Sequence, residues 1–250
     1  MFTRLLYFDK ERVIEYNAII SKDDFVEFDE IDIWDSTEGT AGVGLFNGTK
    51  GIQKNKHGKI QAASTRLWNI FSENLEKSDA FVDFLDEEKS IDAVGRGCII
   101  RLESEVQIPE EFDTVSLLNA IPHDFLENQL VSEIDDNEKD VVKAFFKFKK
   151  ASLPITFLHN EKLLCSKLKN DCFLCTDQEF EDCIEEDLII VAKVLTPNRS
   201  KNKELFNPLK DLFVLNRAAR RALDSESIEG LENIYVDSDY MYLEILAIYQ

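Results

Sequence analysis

The stretch that decides the fold runs from Pro154 to Leu168 and reads PITFLHNEKLLCSKL. Its two halves, residues 155–158 and 162–168, are short apolar runs, and a turn at His159 and Asn160 separates them. Two such runs around a short polar turn are typical of neighbouring β-strands. The sequence therefore predicts that this part of the chain is built from short strands.

Further strand and helix candidates lie on both sides of this stretch. The other apolar runs are residues 5–8, 98–106, 172–175, 188–195 and 240–249. Helical spacing marks residues 60–77, Asp9 and Pro208 precede two more helical segments, and Ser78 is expected to begin another that reaches Leu85. Because strands and helices mix without a regular βαβ order, the sequence predicts an α+β fold. It would be a mixed, mostly antiparallel sheet with several helices packed on it.

The chain length of 250 residues fits one large domain or two small ones. Hydrophobic residues make up 44% of the chain, which is enough to bury a core. We expect a single domain over residues 1–250, with an alternative sub-boundary near residues 135–152. Six of the nine glycines fall in residues 39–59, which predicts a flexible glycine-rich loop there.

The charge of the chain limits its partners and compartment. There are 29 basic and 49 acidic residues, so the formal net charge is −20, and nucleic acid is not expected as a general ligand. No apolar run approaches the roughly 18–20 residues of a membrane-spanning helix, and the first residues do not read as a secretory signal. We therefore expect a cytoplasmic protein with reduced thiols and no membrane association.

Two basic groups are the candidate sites for an anion or a partner. One lies in the glycine-rich loop and the other shares one face of the predicted helix after Pro208. The residues are Lys54, Lys56, Lys59, Arg217, Arg220 and Arg221. The loop is not a nucleotide P-loop, because Lys59 is followed by Ile60 where a hydroxyl is required. Solvated loop lysines, and arginines paired with acidic neighbours, are the alternatives.

A group of cysteines raises the question of a zinc site. The group is Cys165, Cys172, Cys175 and Cys183. If residues 172–175 form a strand, Cys172 and Cys175 face opposite sides and cannot share one metal ion. No helix is predicted after Cys175, which argues against a redox pair of the thioredoxin type. Buried free thiols are therefore the preferred interpretation, and we expect no metal and no cofactor.

Short motifs stand at both ends of the chain. Residues 6–9 read LYFD and are followed by Val13 and Tyr16, and residues 243–250 read LEILAIYQ. Together with the glycine-rich loop and the helix after it, these motifs resemble the uncharacterised bacterial family catalogued as domain of unknown function 6414. Gln250 stands where that family usually has an arginine. The resemblance implies a bacterial protein that accompanies mobile or defence-type genes, and it carries over no catalytic residue.

These patterns favour binding over catalysis. None of His57, His123 and His159 sits in a recognisable active-site motif. We expect a non-enzymatic binding or regulatory protein of a bacterial system, with phage defence as a candidate setting and another protein as its partner. Its oligomeric state is left open. Two alternatives are an enzyme acting on nucleotides or nucleic acid, with residues 217–221 holding the anion, and an acidic mimic of nucleic acid.

Overall fold

A computed structural model describes residues 4–21, 63–85, 90–120, 150–212 and 232–250. The strands in these ranges are β1 (Leu5–Phe8), β2 (Phe81–Asp83), β3 (Ile99–Ser104), β4 (Leu153–His159), β5 (Lys162–Leu168), β6 (Leu188–Arg199), β7 (Glu204–Phe206), β8 (Ile234–Tyr235) and β9 (Tyr240–Tyr249). The helices are α1 (Lys10–Ile20), α2 (residues 63–75), α3 (Asp113–Ala120), α4 (Asp177–Ile184) and α5 (Pro208–Leu212). The glycine-rich loop at 39–59 and most of the sub-boundary at 135–152 lie outside the described residues. The single domain stays a prediction.

Seven strands form one mixed sheet. Its order is β2-β3-β6-β9-β5-β4, and β1 also pairs with β9. The parallel pairs are β2 with β3 and β5 with β9, and the other pairs are antiparallel. With the helices on it, this sheet confirms the predicted α+β fold with a mixed, mostly antiparallel sheet. Strands β7 and β8 make a separate two-stranded ribbon.

The sheet curls until its two ends meet. Just beyond β3, Gln107 exchanges two backbone hydrogen bonds of 2.8 Å with Thr156 in β4. Nearby, the Ser104 hydroxyl donates to the Leu158 carbonyl at 2.8 Å. The Phe84 ring also contacts the His159 ring, with 5.1 Å between centroids. These contacts cover the edge of β4, which would otherwise expose unpaired backbone groups.

The inner side of the curled sheet is filled with apolar side chains. Alternate residues of the strands point inward, as the period of two along a strand requires. Leu102, Ile190 and Leu243 are among the inward residues with 1% exposure or less. Helix α4 contributes Phe180, and the turn between β2 and β3 contributes Ile91. This inner cluster is the apolar core that the curled sheet encloses.

Two separate apolar clusters cover the outer side. Helices α1 and α2 form the first, which we call the α1–α2 cluster, and Phe71 and Trp68 pack there against β9. The second, which we call the ribbon cluster, joins Phe206 of β7 to Phe112 and Tyr240. Helix α2 buries its predicted apolar stripe, Leu67, Phe71 and Leu75, in the α1–α2 cluster.

Several local predictions are confirmed. The Asp9 carboxylate accepts a hydrogen bond from the backbone N–H of Arg12 at 3.2 Å and so caps α1. Pro208 begins α5, and β5 and β9 have the predicted bounds. The turn between β4 and β5 places Asn160 and Glu161 at φ of 47° and 63°, the left-handed region that tight hairpin turns use.

Three local predictions are wrong. Residues 172–175 are not a strand, because Cys172 ends a 3-10 turn and only Phe173 bridges to β1, at Tyr7. A helix does follow Cys175, since Thr176 and Glu179 form a capping box that begins α4. Residues 81–83 are the strand β2 rather than the predicted helical piece, because pairing with β3 outweighs the local helical spacing.

Candidate functional site

The basic residues predicted as an anion or partner site all lie outside the described residues. These are Lys54, Lys56, Lys59, Arg217, Arg220 and Arg221. Their role stays a prediction. The sites that can be built from the described residues are a different set, and they comprise the cysteine group, an acidic cleft and a gap in the main sheet.

The cysteine group is divided by the sheet. Cys165 is buried in the ribbon cluster on the outer side, whereas Cys172, Cys175 and Cys183 pack with the inner cluster. Among the described residues, no three side chains of the metal-binding types are placed to share an ion. Burial raises the pKa of the Cys165 and Cys172 thiols to about 12 and that of Cys175 to about 11. Thiols held in the protonated form are poor metal ligands and poor nucleophiles.

The acidic cleft lies on the outer side of the hairpin formed by β4 and β5. One wall is the connection after β3, residues 105–111, and the other is the β7–β8 ribbon with residues 236–238. The cleft has a volume of about 710 Å³, and Thr156 and Leu163 lie at its base. Apolar side chains that include Ile108 and Leu205 line its inner surface. The Tyr235 side chain stands 52% exposed in the ribbon wall.

Carboxylates are the only charged side chains that the described residues contribute to this cleft. The five are Glu105, Glu110, Glu111, Glu185 and Asp237. All five residues are exposed, and none forms an ion pair with a basic side chain of the described chain. As far as the described residues go, the cleft is therefore a concave surface whose negative charges no basic side chain compensates.

The gap in the sheet lies along β9. One edge of β9 pairs with β6, while the other pairs first with β5, at residues 240–242, and then with β1, at residues 247–249. Between these two partners, the Leu243 carbonyl accepts from the Ser166 hydroxyl at 2.9 Å. The Leu246 carbonyl accepts from the Asp9 N–H, also at 2.9 Å. We call this gap between β1 and β5 the fork.

A small polar cavity occupies the fork. Its volume is about 130 Å³, and its charged lining residues are Asp9, Glu244, Lys167 and Lys169. Lys169 Nζ lies 2.7 Å from Asp9 Oδ2, and Lys167 Nζ lies 2.7 Å from Asp211 Oδ2. Burial lowers the pKa of Lys169, but the hydrogen bond and the charge of Asp9 outweigh this effect and raise it.

Glu244 connects the fork to helix α1. Its carboxylate accepts from the Tyr16 hydroxyl, and its Oε1 lies 3.1 Å from Arg12 Nε. Burial, and then the hydrogen bond to Glu244, raise the pKa of the Tyr16 phenol. Lys193, which is opposite Glu244 in the pairing of β6 with β9, places its Nζ 3.9 Å from the centre of the Tyr16 ring. The fork thus separates the two outer clusters with a polar network.

Neither the cleft nor the fork was predicted from the sequence. The cleft brings together residues from five separate parts of the chain, so no local spacing could reveal it. For the fork there was one usable signal, which is that Lys167 and Lys169 lie two residues apart at the end of a predicted strand and so share a face. Asp9 was recognised only as a helix cap.

Comparisons with known proteins add no relative. No family model, curated protein or solved structure matches this chain. The resemblance of the two ends to domain of unknown function 6414 therefore stays a prediction. In the described ranges, no helix combines the length and the apolar character that crossing a membrane requires.

Proposed function

We propose that this protein is a non-enzymatic binding protein whose acidic cleft receives a lysine- or arginine-rich segment of a protein partner. The observation that carries this proposal is the set of five cleft carboxylates, to which the part of the chain that the structure describes adds no basic side chain. Uncompensated charges of one sign repel one another, and a cationic segment would relieve that repulsion. Placement in a bacterial regulatory or defence system rests on the resemblance alone.

The apolar lining supports a polypeptide partner. Lysine and arginine bury long aliphatic stems while their charged ends stay at a polar rim. The partly exposed Ile108 and Ile184 offer surface for such stems, and the exposed Tyr235 ring can stack on a guanidinium. Exposed tyrosines in partly apolar surroundings are also frequent contributors to binding energy at protein interfaces.

The shape of the cleft bears on the two alternatives. An acidic mimic of nucleic acid presents its carboxylates on a surface that enters a basic groove, whereas these carboxylates line a concave surface that is entered. This favours a receiving role over mimicry. The enzyme alternative depends on residues 217–221, which lie outside the described residues.

The test is a titration of a fluorescent lysine/arginine-rich peptide with two variants of equal charge. The cleft variant carries Glu105→Gln, Glu111→Gln and Asp237→Asn. The control variant carries Glu11→Gln, Glu73→Gln and Asp79→Asn, which are exposed and lie outside the cleft.

We expect the cleft variant to bind the peptide about tenfold more weakly, since each surface charge pair is worth up to about 1 kcal/mol. The control should stay within about threefold of the wild type. Equal weakening in both variants would show that overall charge, and not the cleft, binds the peptide.

A further inference from the structure

The fork cavity is a second polar site, and it shares no lining residue with the acidic cleft. It exists because β1 and β5 pair with different parts of the same edge of β9. A gap inside a sheet is normally closed by backbone pairing, whereas here charged side chains surround it. Its volume of about 130 Å³ has room for a small group and not for a polypeptide.

The donors and acceptors of the lining are not equally used. Each lysine ammonium has three N–H donors. The structure gives Lys167 Nζ one carboxylate, from Asp211, and Lys169 Nζ one carboxylate, from Asp9. Both oxygens of Glu244 have partners, and Asp9 Oδ1 accepts from the Arg12 N–H. Asp9 Oδ2 is buried and makes the ion-pair contact with Lys169 Nζ without a well-directed hydrogen bond. The unused capacity in the fork therefore lies mainly with the lysine donors, which suit a ligand that accepts hydrogen bonds.

The charge around the fork also favours a ligand that accepts hydrogen bonds. Two further cations contact aromatic rings next to the fork lining. Lys193 lies over the ring of Tyr16, which bonds to Glu244, and the Arg199 guanidinium lies 4.8 Å from the centre of the Tyr242 ring. Neither forms an ion pair with a carboxylate of the described chain. The local network holds the cations Arg12, Lys167, Lys169, Lys193 and Arg199 and the carboxylates Asp9, Glu15, Asp211 and Glu244. It is thus slightly positive in a chain of net charge −20.

We propose that the fork binds a small oxyanion, a phosphate or carboxylate group, between the ammonium groups of Lys167 and Lys169. Both lysines line the cavity, and each ammonium has one carboxylate partner and two further N–H donors, with Lys167 Nζ also 5.2 Å from the centre of the Phe206 ring. Lys193 and Arg199, over the Tyr16 and Tyr242 rings, add positive potential outside the lining. The site needs neither the acidic cleft nor its partner.

The test is calorimetric titration of the full chain with inorganic phosphate, and in a second arm with acetate, at constant ionic strength set by chloride. The two arms distinguish the sources of the oxyanion. Saturable binding of phosphate alone assigns a phosphoryl ligand, and saturable binding of acetate alone or of both assigns a carboxylate or a general oxyanion site. Absence of saturable binding in both arms would overturn the proposal.

Variants locate the binding in the fork. Lys167→Gln should weaken it about tenfold or more, the loss of one charge-assisted hydrogen bond. The double variant Asp9→Asn with Lys169→Gln removes both members of the ion pair together, keeps a capping side chain, and should weaken binding equally. The matched control is Lys162→Gln, because Lys162 is also partly buried and paired with an aspartate, at 3.1 Å, but lies outside the fork. Equal loss in the control would assign the binding to general charge and contradict the proposal.

Discussion

The ammonium of Lys169 lies 2.7 Å from the carboxylate of Asp9, which is 1% exposed. Asp9 stands between β1 and α1, and Lys169 follows β5, so this ion pair links the two strands that border the fork. The same carboxylate caps α1 through the backbone N–H of Arg12. One side chain therefore supports a helix, a strand junction and a cavity wall.

Replacing Asp9 by alanine should destabilise the fold by about 2–3 kcal/mol. The lost helix cap accounts for about 1 kcal/mol. The lost ion pair contributes less than a fully buried pair would, because Lys169 is 40% exposed and can be rehydrated. Urea denaturation measures the change. Asp9→Asn keeps the cap and should lose clearly less, so equal losses in the two variants would contradict the capping role.

The start of helix α4 is expected to depend on Thr176. Its hydroxyl accepts from the Glu179 N–H at 3.2 Å, and the Glu179 carboxylate accepts from the Thr176 N–H at 2.9 Å. Thr176→Ala should cost about 1 kcal/mol in the free energy of unfolding, whereas Thr176→Ser should cost little, since serine caps equally well. Thermal denaturation of the two variants checks this. An unchanged melting temperature of the alanine variant would show that the capping box of Thr176 and Glu179 does not stabilise the fold.

The cysteines near the inner and outer clusters should react slowly in the folded chain. Burial raises the pKa of Cys165 and Cys172 to about 12 and of Cys175 to about 11, so little thiolate is present near neutral pH. At about pH 8, we expect iodoacetamide to label these three at least about tenfold more slowly in the folded protein than in urea. Peptide mass mapping gives the rate at each position. Rapid labelling of any of the three in the folded protein would show that burial does not keep its thiol protonated.

His159 should make stability depend on pH just below neutrality. The His159 ring contacts the Phe84 ring, and partial burial lowers the pKa of His159 below the usual 6.5. The unfolded chain then binds a proton at a higher pH than the folded chain, so stability falls as pH drops below 6.5 and levels off below the folded pKa. The melting temperature of His159→Gln should therefore fall less than that of the wild type between about pH 7.5 and about pH 5.5. Parallel curves for the two proteins would contradict this account.

The parts of the fold that sequence analysis predicted well are those with a local cause. The hairpin of β4 and β5 follows from two apolar runs around a polar turn, and α2 follows from the stripe of Leu67, Phe71 and Leu75. The local rule for Asp9 as a helix cap was also correct. In each case the interactions that decide the structure join residues close in sequence.

The wrong predictions, in contrast, concern segments whose structure has a long-range cause. Residues 81–83 became a strand because β3 lies beside them, and residues 172–175 lost their strand character because only Phe173 meets β1. Both depend on neighbours that are distant in the chain. The fork and the cleft are products of such long-range pairing, which explains why lysines and carboxylates of no notable spacing come together there.

The three partners of β9 set an order for the folding reaction. Leu5 pairs with Tyr249, and β5 and β6 also precede β9 in the chain, so all of these pairings wait until residues 240–249 have been synthesised. Contacts between residues so far apart make folding slow, because a long loop must close before the contact is gained. Until then β1, β5 and β6 have apolar faces and free edges that other chains can contact. The newly made protein should therefore need dilution or a chaperone during this interval more than after β9 has docked.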